Sequence, residues 1–108
     1  MRKYIMPIED ISYIEKLERL NYEINSYGVI IDRLISSHLN DANFLNSEIW
    51  KTYYNNFVST NKQYEQAKNE FTNYLMPIVR ENENNPNLSF SWNIEDFSTK
   101  TVEIIIED

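Results

Sequence analysis

Mostly apolar residues recur at alternating spacings of three and four between Leu45 and Arg80. This spacing places them on one side of an α-helix, and it is typical of a helix that packs along a partner helix. The series is Trp50, Tyr53, Phe57, Thr60, Tyr64, Ala67, Phe71, Tyr74 and Ile78. We therefore predict a long helix over about residues 47–80, with Asn46 as its N-cap and Pro77 kinking or ending its last turns.

The same spacing occurs earlier in the chain and predicts another long helix, over about residues 8–39. Its series is Leu17, Leu20, Ile24, Tyr27, Ile31, Leu34 and His38. Pro7 suits the first helical position, although Ser12 and Glu15 have the spacing of a capping box and allow a later start. Gly28 either marks a kink or is tolerated without consequence, at a cost of about 1 kcal/mol relative to Ala. The short connection after this helix predicts that the two helices are antiparallel neighbours.

The period of the pattern changes to two after residue 87, which predicts a two-stranded β-hairpin over about residues 88–107. A lone hairpin is marginal in water, so its apolar face must cover the helices, a third strand or another subunit. Residues 3–5 are candidates for that third strand. The predicted fold is α+β but mainly α: a single domain over residues 1–108, in which a long antiparallel two-helix hairpin precedes the β-hairpin.

Both predicted helices carry more apolar surface than one helix–helix contact needs. Beyond the two series, the first helix carries Ile14, Ile30 and Ile35, and the second carries Ile49, Tyr54, Val58, Leu75 and Val79. Either the β-hairpin covers this additional surface or another protein does. The residues that we expect to contact a protein partner are Ile30, Ile35, Tyr54, Val58 and Ile105.

Composition and charge narrow the classes of function. Seventeen acidic residues against ten Lys and Arg give a net charge of -7, which argues against direct binding of nucleic acid. The absence of Cys excludes disulfides, thiolate nucleophiles and Cys-ligated metals. No stretch of the chain approaches the 18 or more apolar residues of a membrane span. We expect a cytoplasmic protein that does not bind a membrane.

Residues with catalytic or ligand-binding chemistry are sparse. A single Gly excludes Gly-rich phosphate loops. His38 is the only His, and its local candidates for a nucleophile or an orienting acid are Ser36, Ser37 and Asp41; we interpret it as a residue at a helix end. We expect no enzymatic activity, no catalytic residues, no metal site and no cofactor.

Three segments carry a resemblance to a known group of proteins: Glu18–Glu23 in the first helix, Tyr64–Glu70 in the second, and Ser91–Thr99. With them, the layout resembles small helical-hairpin proteins of gut bacteria and phages, some of which are accessory proteins of a CXXX-repeat peptide modification system. The resemblance implies an accessory, non-enzymatic role and no catalytic residues. An additional residue separates Ile94 from Asp96 and Phe97, where that group has a tighter Ile-Asp-Phe.

Two functions from different classes remain open. The first is an interaction module of bacterial or phage origin that forms a homo-oligomer or docks on a larger protein partner. The alternative is an acidic mimic of nucleic acid that inhibits a host or defence enzyme. Such a mimic needs carboxylates aligned along one face, whereas Lys and Arg are interspersed among the acids here.

Overall fold

The structure is a computed structural model that describes residues 1–107. Two long helices and three strands make up the fold, and two short 3-10 turns lie at Phe44–Asn46 and Phe97–Thr99. In chain order the elements are β1 (Arg2–Pro7), α1 (Ser12–Ser37), α2 (Glu48–Asn82), β2 (Phe90–Asn93) and β3 (Thr101–Ile106). The predicted α+β fold dominated by helix is confirmed, but the sheet has three strands rather than two.

The chain forms two compact units. The first, which we call the sheet unit, consists of Met1–Lys16 and the chain from Ala67 onward; the second, the helical unit, consists of Leu17–Gln66. The single domain predicted over residues 1–108 stays a prediction.

The three strands of the sheet unit are arranged in the order β1-β3-β2, with β3 antiparallel to both neighbours. Ile106 lies opposite Arg2 on one side and opposite Phe90 on the other. Residues 3–5, the candidates for a third strand, therefore belong to β1. Its last residue is Pro7, so the prediction that Pro7 begins the first helix was wrong. Pro fits here because an edge strand has backbone N–H positions without a ladder partner.

The core of the sheet unit lies between the sheet and α2. Alternate residues of β3 (Val102, Ile104 and Ile106) are fully buried, as are Phe71, Leu75 and Val79 along one side of α2. The period of two thus gives β3 one apolar face, and the period of 3.6 gives α2 another. The ring of Trp92, on β2, meets the ring of Phe71 edge-on, with centroids 4.9 Å apart. The additional apolar residues Leu75 and Val79 of α2 are therefore buried within the sheet unit.

Both helices begin at side-chain caps. α1 begins at Ser12, the later of the two predicted starts. The Asp10 carboxylate accepts from the Ser12 backbone N–H at 3.1 Å and from its hydroxyl at 2.6 Å. The predicted capping box of Ser12 and Glu15 was wrong, because the Ser12 hydroxyl donates to Asp10 and the Glu15 N–H bonds the Ile11 carbonyl. At the start of α2, the Ser47 hydroxyl accepts from the backbone N–H of Trp50 at 3.3 Å. Ser47 is therefore the N-cap, and the prediction of Asn46 was wrong because Asn46 belongs to the preceding 3-10 turn.

The C-terminal end of α2 lies beyond the predicted one. The helix passes Pro77 and ends at Asn82, so Pro77 does not end it. Burial of Leu75 and Val79 on either side offsets the loss of about 3 kcal/mol that an interior proline causes. Asn84 then adopts a left-handed backbone with φ 53°. The N–H of Asn85 bonds the Arg80 carbonyl at 3.0 Å, which is the hydrogen bond of a Schellman cap.

The helical unit is much less buried than the sheet unit. Its buried side chains include Leu17, Leu20, Phe44 and Thr60, and the rest of the predicted apolar series is mostly half-buried. Its exposed large apolar side chains are Tyr22, Val29, Ile35, Leu39, Leu45, Ile49, Tyr54 and Val58. Such a concentration of exposed apolar surface within one unit is a feature of interaction sites.

Candidate protein-interaction surface

Tyr54 and Val58 form the centre of an exposed apolar stripe on α2. Their exposed fractions are 48% and 37%. They are four positions apart, so their side chains lie one above the other on the same side of the helix. Lys51, Lys62 and Glu65 are exposed and lie within about 40° of Val58 around the helix, at 100° per residue. We call the surface formed by Lys51, Tyr54, Val58, Asn61, Lys62 and Glu65 the α2 surface.

A shallow, open depression occupies the C-terminal half of the α2 surface. Val58, Asn61, Lys62, Glu65 and Gln66 line it. The lining is mostly apolar, since the Val58 methyl groups are joined by the methylene stems of the longer side chains. The Asn61 amide donates to the Phe57 carbonyl at 2.8 Å and is thereby held against the helix. The depression can therefore receive an apolar or aromatic group without first having to release a polar one.

The residues that border this depression have a specific spacing. With Val58 at position i, Asn61, Lys62 and Glu65 occupy positions i+3, i+4 and i+7. Four residues at this spacing form the hole that receives one side chain of a facing helix in knobs-into-holes packing. The depression thus has the form that helix–helix contacts use.

A chain of aromatic contacts supports Tyr54. The rings of His38 and Phe44 stack with centroids 3.9 Å apart and planes 4° apart. Phe44 meets Trp50 at 5.8 Å, and Trp50 stacks on Tyr54 at 5.6 Å. Because Trp50 limits the rotamers open to Tyr54, less side-chain entropy remains to be lost when Tyr54 binds a partner.

His38 has a structural place in this aromatic chain. Its Nδ1–H donates to the carbonyl oxygen of Leu34 at 2.9 Å, which satisfies one of the free carbonyls at the C-terminal end of α1. Asp41 uses its carboxylate to accept from the Asn43 backbone N–H at 3.0 Å. Both side chains therefore make local hydrogen bonds, one at the end of α1 and the other in the connection that follows it.

The outer face of the sheet has a second, more polar depression. Glu95, Asp96 and Glu103 line it together with Ile5. The Asp96 carboxylate accepts from the Ser98 hydroxyl at 2.6 Å and from its backbone N–H at 2.9 Å, and these bonds lower the pKa of Asp96. Its charge is thus used to hold the 3-10 turn that follows. Within residues 1–107, no group of three or more acidic or His side chains is arranged to hold a metal ion.

Burial and charge affect one residue of β1. The Tyr4 hydroxyl is buried and has no hydrogen-bond partner within residues 1–107. That burial, together with the negative charge of Glu83, raises the pKa of Tyr4, while the nearby Asn82 amide and the Arg2 charge oppose the rise. Arg2 itself forms an ion pair with Glu83 at 3.1 Å. Tyr4 is therefore a position where ionisation opposes folding.

No protein-family model, curated protein or solved structure matches this chain. None of the helices in the described part of the chain combines the length and apolarity that crossing a membrane requires.

The structure brings together only two of the five expected interaction residues. Tyr54 and Val58 share one side of α2. Ile35 is 43% exposed on α1, and Ile30 is half-buried there; five residues apart, they lie about 140° from each other around the helix. Ile105 belongs to the sheet unit, where it is half-buried between Lys3 and Ser91 on the outer face.

Sequence reasoning missed the charged and polar half of the α2 surface. Asn61, Lys62 and Glu65 do not stand out in an apolar pattern, because their apolar contribution comes from their methylene stems. The signal that identifies them is their spacing from Val58, which is that of a packing hole.

Proposed function

We propose that this chain is a non-enzymatic interaction module that binds protein through the α2 surface. The observation that carries the proposal is the exposure of Tyr54 and Val58 beside a largely apolar depression. Aromatic side chains are enriched at protein interfaces, and Tyr is frequent among the residues that contribute most to binding when they fill a pocket. The accessory role implied by the resemblance agrees with such a module. The absence of Cys supports a cytoplasmic location, and the antiparallel pairing of α1 and α2 is part of the same proposal.

The charge on the α2 surface favours this function over the mimicry of nucleic acid. Lys51 and Lys62 lie on the same side of the helix as Glu65, so the surface has both signs of charge. A mimic requires a continuous row of negative charge at phosphate-like spacing. Mixed charge around an apolar centre is instead the composition of a protein-binding rim and core.

The test is a comparison of three proteins: wild type, a Tyr54→Ser/Val58→Asn double variant, and a Tyr22→Ser control. Tyr22 is 73% exposed on α1 and lies outside the α2 surface. Each protein is immobilised and exposed to an extract of the source cells, and its own association is followed by light scattering.

We expect the wild type and the control to retain the same proteins or to self-associate, and the double variant to do neither. Circular dichroism should show equal helix content in all three proteins. Equal retention and association by the double variant would place binding elsewhere. A wild type that neither associates nor retains any protein would overturn the proposed function.

A further inference from the structure

The α2 surface has a two-fold pattern about Val58. Lys51 and Glu65 both lie seven residues from Val58, and Tyr54 and Lys62 both lie four residues from it. At 100° per residue, all four lie within about 40° of Val58 around the helix. An antiparallel copy of α2 with its symmetry axis at Val58 therefore places each member of a pair opposite the other.

The residues related by this pattern are chemically complementary. Lys51 faces the opposite charge of Glu65, and Lys62 faces the aromatic ring of Tyr54. A Lys ammonium above a Tyr ring is attracted by the ring's quadrupole. At the axis, Val58 meets its own counterpart, which excludes water without requiring any polar partner.

The same register fits Tyr54 to the depression. Tyr54 of one copy, four residues before the axis, lies opposite the space between residues 61 and 62 of the other copy. That space is the centre of the hole formed by Val58, Asn61, Lys62 and Glu65. Because the symmetry is two-fold, both Tyr54 side chains enter equivalent holes.

We propose that the partner of the α2 surface is a second copy of this chain, bound antiparallel with Tyr54 of each copy in the depression of the other. This inference rests on the proposed function and names its partner. The interface is isologous, since the same surface is used by both copies. The Glu65 carboxylate can contact the partner's Lys51 in addition to its other contacts, because a carboxylate accepts several hydrogen bonds.

Charge disfavours parallel, in-register pairing of the same surface. It would bring Lys51 next to the partner's Lys51 and Lys62 next to the partner's Lys62. Like charges at facing positions of paired helices repel. The antiparallel arrangement instead relates each cation to an anion or to an aromatic ring.

The test is a charge exchange between Lys51 and Glu65. Lys51→Glu alone places two acids together twice in each dimer, and Glu65→Lys alone does the same with two bases. Each single variant should weaken dimerisation about tenfold or more at low ionic strength, where exposed charges are least screened. An equimolar mixture of the two single variants restores both opposite-charge contacts, so it should form a heterodimer. The double variant Lys51→Glu/Glu65→Lys should dimerise like the wild type.

A second pair of variants tests the place of Tyr54. Tyr54→Ala should abolish the dimer, whereas Tyr22→Ala, which removes another exposed tyrosine of the helical unit, should leave it unchanged. Sedimentation velocity gives the dissociation constants, and circular dichroism shows that each variant is folded. If the mixture of single variants stays monomeric while the wild type dimerises, the antiparallel pairing is wrong.

The outcome also separates this inference from the proposed function. A wild type that is monomeric at every concentration but retains another protein through Tyr54 would overturn the second-copy inference and leave the proposed function standing. A monomer that retains nothing would overturn both. A dimer that responds to Tyr54→Ala and to the charge exchange supports both.

Discussion

The indole N–H of Trp92 donates a hydrogen bond to the hydroxyl oxygen of Thr72, 2.9 Å away. Thr72 donates its own proton to the carbonyl oxygen of Lys68, one turn earlier in α2, also at 2.9 Å. A strand residue and a helix residue are thus joined by a polar contact beside the buried apolar residues of the sheet unit. Because the hydroxyl is already held by the helix, it presents its lone pair to Trp92 in a defined direction.

Thr72→Val should lower the free energy of unfolding by about 1–3 kcal/mol, since it leaves the indole N–H without an acceptor. Thr72→Ser keeps the hydroxyl, so it should lower the free energy of unfolding by less. Urea unfolding followed by Trp fluorescence measures the difference. Equal stability of the Val and Ser variants would show that the hydrogen bond does not contribute.

Gly28→Ala should raise the free energy of unfolding by about 0.5–1 kcal/mol, because Ala loses less backbone entropy in a helix. A Cβ at this position meets no atom of the described residues within 4 Å apart from its own turn of helix and chain neighbours. Thermal unfolding of the variant provides the measurement. Gly28→Val is the matched control and should gain less, since its branched side chain is restricted in a helix. A loss of stability with Ala would mean that another backbone approaches Gly28.

Ser47→Ala should lower stability by about 1 kcal/mol, the usual effect of removing an N-cap side chain. Asn46→Ala, one residue earlier, should have a much smaller effect, because the α2 cap is the Ser47 hydroxyl. Both variants can be compared by urea unfolding followed by circular dichroism. The reverse order of the two effects would restore Asn46 as the cap.

The periodicity of the sequence located both helices and the alternating strands, because burial on one side of an element leaves a direct record in the pattern. The periodicity predicted the ends of these elements less well. Ser47 and Asn46 are both good N-caps, and only the 3-10 turn at residues 44–46 decides between them. Pro77 is a helix breaker by itself, but tertiary burial of its neighbours outweighs that tendency.

The unfolding free energy should decrease as the pH rises above about 10, the ordinary pKa of tyrosine. The pKa of Tyr4 is raised in the folded protein. As the pH rises, Tyr4 therefore loses its proton in the unfolded chain before it does so in the folded protein, and this ionisation stabilises the unfolded state relative to the folded state. Below that pH, the contribution of the neutral Tyr4 to the free energy of unfolding is fully present. Tyr4→Phe should flatten the decrease, whereas Tyr22→Phe, at an exposed position, should not. Urea titrations over about pH 8 to 11 provide the comparison, and an unchanged slope in Tyr4→Phe would contradict the expectation.

The candidate interaction surface was predictable only in its apolar half. Tyr54 and Val58 lie outside the main helical series, and that position alone marked them as surplus apolar surface. Ile105 fits the alternation of its strand, but this alternation does not predict which unit of the chain contains the strand. Lys62 and Glu65 acquire a role through the shape that they form with Val58, which requires the helix to be built first.

The pairing of Arg2 with Ile106 has a consequence for synthesis on the ribosome. β1 is made before the other elements of the described chain, yet its only strand neighbour there, β3, follows nearly a hundred residues later. At about 5–20 residues per second, β1 waits on the order of 5–20 seconds for that neighbour. The helical unit, whose residues are contiguous in sequence, can be complete before then. The sheet of the nascent protein therefore forms last, and until then β1 is an unpaired strand open to chaperones or to another chain.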